Sequence, residues 1–223
     1  MKTAVIIPAA GMGTRMGAVK QLLILKDRPV LSHTLAAFEE HEEINEIILV
    51  APAESMEEIQ IKAIFPYGFK KISAVVQGGL HRQESVWAGL NHLSQDVAWI
   101  LIHDGARPLV TKQVISDVLA YVRKGVAAVS GVKSKDTIKL TEDDIVKDTP
   151  ARDYAWLVQT PQGFPHNLIK EAHIKALAEG FIGTDDAMLV ERLNVPVYMV
   201  EGDYRNIKLT TREDVKIAEA LIT

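Results

Sequence analysis

The chain has 223 residues, 48% of them hydrophobic, and a formal net charge of −4. A chain of this size can bury one core without staples, and the acidic balance argues against a nucleic-acid binder that works by bulk electrostatics. The absence of cysteine excludes a disulfide scaffold, a thiol nucleophile and a zinc–thiolate site.

The first strand pattern, Ala4–Ile7, opens almost at once after Met1 and Lys2, with no signal or transit pattern ahead of it. Similar short β-branched runs recur at Ile47–Val50, Ile72–Val76, Trp99–Ile102, Val126–Val132 and Val197–Val200. Such near-continuous apolar runs suit strands covered on both faces. Helical stripes lie between them. Leu31, Leu35 and Phe38 make one; Val114, Ile115, Val118, Leu119 and Val122 make a second; Leu168, Ile169, Ala172, Ala176 and Leu177 make a third. The last helix opens with a capping-box pattern at Thr210-Thr211-Arg212-Glu213. This alternation predicts an α/β fold, a mostly parallel sheet with helices on both faces, over a single domain spanning 1–223. The longest apolar stretches, about six to eight residues, fall far short of the ~20 that cross a bilayer. A cytoplasmic enzyme with no membrane and no nucleic-acid partner is the expectation.

One region breaks the rhythm. Residues 133–159 read as a β-arm, with strand-like pieces at Thr137–Leu140 and Ala155–Val158 and a turn near Glu142-Asp143-Asp144. A projecting hairpin has little core of its own, so it is expected to pack on a second subunit; the plainer reading is a solvated surface hairpin.

The candidate chemistry lies after the strands. Pro8-Ala9-Ala10-Gly11-Met12-Gly13-Thr14-Arg15-Met16-Gly17 follows the first run, with Lys20 three residues on. Glycines allow backbone N–H groups to approach phosphate closely. The dinucleotide fingerprint fails here because its third glycine position is Met16, and no P-loop string occurs. Two cations beside a glycine cradle fit the larger charge of a nucleoside triphosphate. The alternative is an ordinary turn with exposed basic residues. Gly78-Gly79 with Ser85 could read a base or ribose. Asp104, in His103-Asp104-Gly105-Ala106-Arg107-Pro108, stands at the carboxyl end of a strand, where it is a candidate Mg²⁺ ligand or simply a turn residue. Thr160-Pro161-Gln162 reads as a rigid turn. Thr184 reads as a helix cap ahead of two aspartates, and Lys208 sits at the ligand edge of the sheet. No histidine pair has metal-ligand spacing, and no G-x-S-x-G elbow occurs.

Together these segments, with Asp136-Thr137-Ile138-Lys139 and Asn206-Ile207-Lys208, resemble the 2-C-methyl-D-erythritol 4-phosphate cytidylyltransferases in order and spacing over essentially the whole chain. The resemblance implies a Rossmann-like domain whose β-arm forms a homodimer. It implies transfer of CMP from CTP to a polyol phosphate with release of pyrophosphate, aided by Mg²⁺. Carried over by position, Arg15 and Lys20 would stabilise the transition state at the α-phosphate. Arg152 and Lys208 would position the substrate phosphate, with Arg152 and Thr137 donated by the partner. Pro8, Ala9, Ala10, Gly11, Gly13, Gly79, Ser85, Asp104 and Gly105 would line the nucleotide pocket, and Arg107 would bind the acceptor. The sequence departs from the commonest family pattern at Gly105, at Leu80-His81 and at Lys133-Ser134. A ribitol 5-phosphate cytidylyltransferase and a catalytically silent nucleotide-binding regulator are the competing readings.

Overall fold

The computed structural model describes residues 1–11 and 20–222, with Lys20 described through its backbone alone. The strands and helices follow in chain order: β1 (Lys2–Pro8), β2 (Ile24–Leu25), β3 (Arg28–Pro29), α1 (Val30–Glu39), β4 (Glu46–Ala51), α2 (Met56–Ile59), β5 (Ile72–Gln77), α3 (Arg82–Leu90), β6 (Val97–Ile102) and α4 (Lys112–Val122). Then come β7 (Ala127–Lys133), β8 (Leu140–Glu142), β9 (Ile145–Asp148), β10 (Trp156–Pro165), α5 (His166–Ala178), α6 (Asp186–Glu191), β11 (Val197–Glu201) and α7 (Arg212–Leu221). A π-helical turn, Gln60–Ile64, continues α2.

Seven strands form one sheet in the order β11-β7-β10-β6-β1-β4-β5. β1 pairs in parallel with β4 and β6, β4 with β5, and β7 with β11. β10 alone runs antiparallel, between β6 and β7. Alternate residues of the central strands face opposite ways. Val5, Ile7, Ile47 and Leu49 pack with Leu31, Leu35 and Phe38 of α1 and the apolar stripe of α4. Ala4, Ile6, Ile48 and Val50 pack on the other side with Val86 and Leu90 of α3 and with Ile169, Ala172 and Ala176 of α5. Both faces of the sheet are thus covered, as the unbroken apolar runs predict, and among the described residues no helix is long and apolar enough to cross a membrane.

Three local expectations need correction. Thr160-Pro161-Gln162 is not a turn leaving the hairpin; it lies inside β10, where a register shift falls between Val158 and Gln162. Two prolines and Gly163 make this strand illegible as one, yet Gly163 is what lets α4 approach. A side-chain carbon there would meet Val122 at 2.5 Å, Val118 at 2.7 Å and Leu101 at 2.9 Å. The arm's own hairpin is β8 with β9, not Thr137–Leu140 with Ala155–Val158. Residues Trp156–Val158 belong to β10 and pair with β7 in the main sheet. The turn is Asp143-Asp144, both at positive φ (49° and 62°), the conformation that a two-residue hairpin loop demands. Finally, the helix caps shift by one residue. Thr211 caps α7 with Asp214 as its reciprocal partner, and Asp185, not Thr184, caps α6 by accepting from the Met188 N–H.

Candidate active site

The loops that leave β1, β5, β6 and β11 meet at the carboxyl edge of the sheet, the usual ligand edge of an open parallel sheet. Backbone hydrogen bonds lock them together beyond the strand ends. Ala9 N–H donates to Val50 at 2.7 Å, Gly78 N–H to Ala51 at 2.9 Å, His103 N–H to Ile6 at 3.0 Å and Leu209 N–H to Ala106 at 2.9 Å. The Gln21 amide donates to the carbonyls of Ala9 and Gly11, which fixes the start of the glycine-rich loop. At Gly78 any side chain would overlap Ala10 and come within 2.8 Å of the Ser85 hydroxyl, so only glycine admits the close packing of these three segments.

The result is a cavity of about 160 Å³ that opens to solvent. Pro8, Ala9, Ala10, Gly11, Gly79, Ser85, Asp104, Gly105 and Lys208 all line it, as the sequence leads one to expect. A second cavity adjoins it and contains Arg107, Thr160, Gln162, Thr184 and Asp185. Arg82, Asp104 and Lys208 line both. Gly13 and Arg15 lie outside the described residues, as does the side chain of Lys20. Arg152 and Thr137 are exposed on the arm and line neither cavity of their own chain.

At the junction of the cavities sits a charge cluster that the sequence reading only partly found. Asp104 is paired with Lys208 Nζ at 3.0 Å, Arg82 Nε at 3.2 Å and Arg107 Nε at 3.4 Å. Burial alone would raise the Asp104 carboxyl, but Arg82, Lys208 and Arg107 outweigh it and hold it well below the usual carboxylate range. Arg82 also donates to Asp186 at 2.6 Å, behind the cavity wall. Arg82 and Asp186 were not expected here. Arg82 stands in a string read for its serine, and its partner lies 104 positions away. Lys208 is placed by its neighbours: the Asn206 side chain donates to the Thr160 carbonyl at 2.7 Å, and the Asn206 carbonyl accepts from Arg107 at 2.7 Å.

The expected role of Asp104 as a magnesium ligand does not fit this arrangement. Both of its oxygens face cations, which would repel a divalent ion, and among the described residues no three metal-binding side chains come together. A divalent ion here would have to take its ligands chiefly from phosphate oxygens.

A doubly covered, mostly parallel sheet with a cation-rich double cavity at its carboxyl edge has the architecture of a nucleotide-using transferase. Comparison with known proteins narrows this. The family model for 2-C-methyl-D-erythritol 4-phosphate cytidylyltransferase matches residues 3–223, and the chain belongs to that family. A family protein from Alkaliphilus oremlandii is 46% identical over 99% of this chain and 95% of its own length. One from Desulforamulus reducens is 48% identical over 97% and 94%. Among solved structures, the 4-diphosphocytidyl-2C-methyl-D-erythritol synthase of Anaerococcus prevotii superposes with a TM-score of 0.88 at 37% identity, covering 99% of this chain and 95% of that one. The Thermus thermophilus cytidylyltransferase gives a TM-score of 0.81 at 35% identity, covering 99% and 98%.

Proposed function

We propose that this chain transfers the cytidylyl group of CTP to 2-C-methyl-D-erythritol 4-phosphate and releases pyrophosphate, in the cytoplasm, as a single domain. The observation that carries this reading is the pair of adjoining cavities that share Arg82, Asp104 and Lys208. A two-substrate phosphoryl-type transfer needs such a junction, because the reacting atoms meet there.

The chemistry follows from charge. An oxygen of the acceptor phosphate attacks the α-phosphorus of CTP, and the bond from that phosphorus to the oxygen bridging to the β-phosphate breaks. The attacking oxygen is already ionised near neutral pH, so no base has to remove a proton. Holding two anions in line and neutralising them is most of the task. The short loop 8–11, with Gly79 and Ser85, would hold base and ribose. Arg15 and Lys20 would act at the α-phosphate. Lys208 and Arg107 would meet the acceptor. Magnesium, where bound, would supply further charge neutralisation.

The arm would complete the site in a homodimer, bringing Arg152 and Thr137 to the partner. Its exposed apolar surface supports this: Ile145, Val146, Leu140 and Tyr154 all stand in solvent in the single chain, Tyr154 at 87% exposure. Supplying CTP and magnesium with either 2-C-methyl-D-erythritol 4-phosphate or ribitol 5-phosphate, and following pyrophosphate, tests the assignment. Turnover is expected with the first. Preference for ribitol 5-phosphate, or CTP binding without turnover on either, would replace it.

A further inference from the structure

We propose that Asp104 is a resident anion, pairing with Arg82, Arg107 and Lys208 and exchanging those pairings with the phosphate oxygens of ligands that enter the two cavities. The inference rests on the proposed function only in taking phosphate groups as what enters.

Its basis is the charge arrangement. Three cations lie within 3.4 Å of one carboxylate whose side chain is 10% exposed. Among the described residues, the nearby charged groups have other partners. Asp186, 1% exposed, holds the far side of Arg82. Arg107 sends its Nη1 to the Asn206 carbonyl. Asp185 lines the second cavity, but its oxygens accept from the Met188 N–H and the Gln162 amide. Asp104 is therefore the one carboxylate that lines both cavities among the described residues, and it touches every cation there.

Carboxylate and phosphate oxygens are chemically similar acceptors for guanidinium and ammonium groups. With Asp104 in place, the mutual repulsion of the three cations is partly offset and they are held in ligand-ready positions. A weak anion of single charge gains little by competing with a tethered carboxylate. A phosphate ligand with several charges gains enough to take over one or more pairings. Lys208, with its side chain 39% exposed, is the cation best placed to move from one acceptor to the other. Asp104 thus works as a selectivity device, raising the threshold of anionic charge needed to occupy the junction.

The test replaces the charge and keeps the shape: Asp104→Asn. Inorganic pyrophosphate is titrated by calorimetry into native and variant chains in buffer containing EDTA, so that no metal contributes. Removing one unit of like charge beside the cations should tighten binding by about tenfold, with chloride now competing where it did not. Unchanged or weaker metal-free binding overturns the proposal. So does a variant whose only defect is magnesium-dependent CTP binding, the result expected of a metal ligand. Should the variant fail to fold in dilute buffer, it is refolded with pyrophosphate or with chloride. Recovery in pyrophosphate alone supports the proposal, because a ligand that binds the folded state stabilises it, and failure in both overturns it. Turnover is not read, so a failure of the cytidylyl-transfer assignment appears separately in the assay of the native chain.

Discussion

His103 shows how much of the site is set by one proton. The ring is fully buried, and burial lowers its pKa from 6.5 to about 4. Nε2 faces the Arg107 carbonyl at 3.1 Å; that oxygen can only accept, so Nε2 carries the proton. Nδ1 then accepts from the Thr160 hydroxyl at 3.0 Å, and the hydroxyl oxygen accepts from the Asp104 N–H at 3.1 Å. Protonated His103 would break this chain at Nδ1. A histidine whose folded pKa is depressed binds fewer protons than the unfolded chain, so stability should fall as pH drops from about 6.5 toward about 4, by up to about 3 kcal/mol. His33 and His41 shift in the same direction, so the measurement is a difference. Thermal unfolding from pH 7 to pH 4 should show a shallower loss for His103→Gln than for the native chain, and equal slopes would refute the assignment. At this scale the short loops were readable in the sequence, because small residues directly after a strand have few other uses. Arg82 was not. Its meaning comes from Asp104 and Asp186, and no local spacing announces a partner so distant.

At the scale of elements, apolar runs were a reliable guide and polar strands were not. Every run covered on both faces proved to be a strand of the sheet. β10 escaped because its central residues, Thr160 to Gly163, carry turn-like chemistry while the neighbours β6 and β7 supply its pairing. Within residues 133–159 the strands lie elsewhere than expected, since exposed strands such as β8 and β9 have no apolar alternation to mark them. The packing of α4 on β10 gives a quantitative test. Gly163→Ala places a methyl against Val118, Val122 and Leu101 in a filled core, and overpacking of this kind costs about 1–3 kcal/mol. Denaturant titration should show the midpoint fall with the slope unchanged. A neutral substitution would mean that α4 can move away from the sheet.

At the scale of the whole molecule, the proposed homodimer has a direct test. Arg152 is exposed, and among the described residues its guanidinium makes one long hydrogen bond, to the Lys135 carbonyl at 3.5 Å. If the partner receives it, the active site is divided between subunits. Lys20→Ala should lower kcat by about 10²-fold, the scale for one lost charge stabiliser. Arg152→Ala should be similarly weak. A mixed dimer of the two variants then contains one site with both lesions and one with neither. Subunit exchange, followed by differential tags, should restore up to about half the activity per mixed dimer, a consequence of two-fold symmetry. Proven exchange without recovery would return Arg152 to its own chain.

The strand order also gives synthesis on the ribosome a direction. β1, β4, β5 and β6 are neighbours in the sheet and all lie in the first 102 positions, so the emerging chain can pair them before the rest exists. That half already carries Arg82, and Asp104 follows two residues after it. Asp186 and Lys208 follow only 82 and 104 positions after Asp104. Until then Arg82 lacks its buried anchor and the cluster lacks its most exposed cation. A growing polypeptide can therefore shape most of the first cavity long before Lys208 completes its lining.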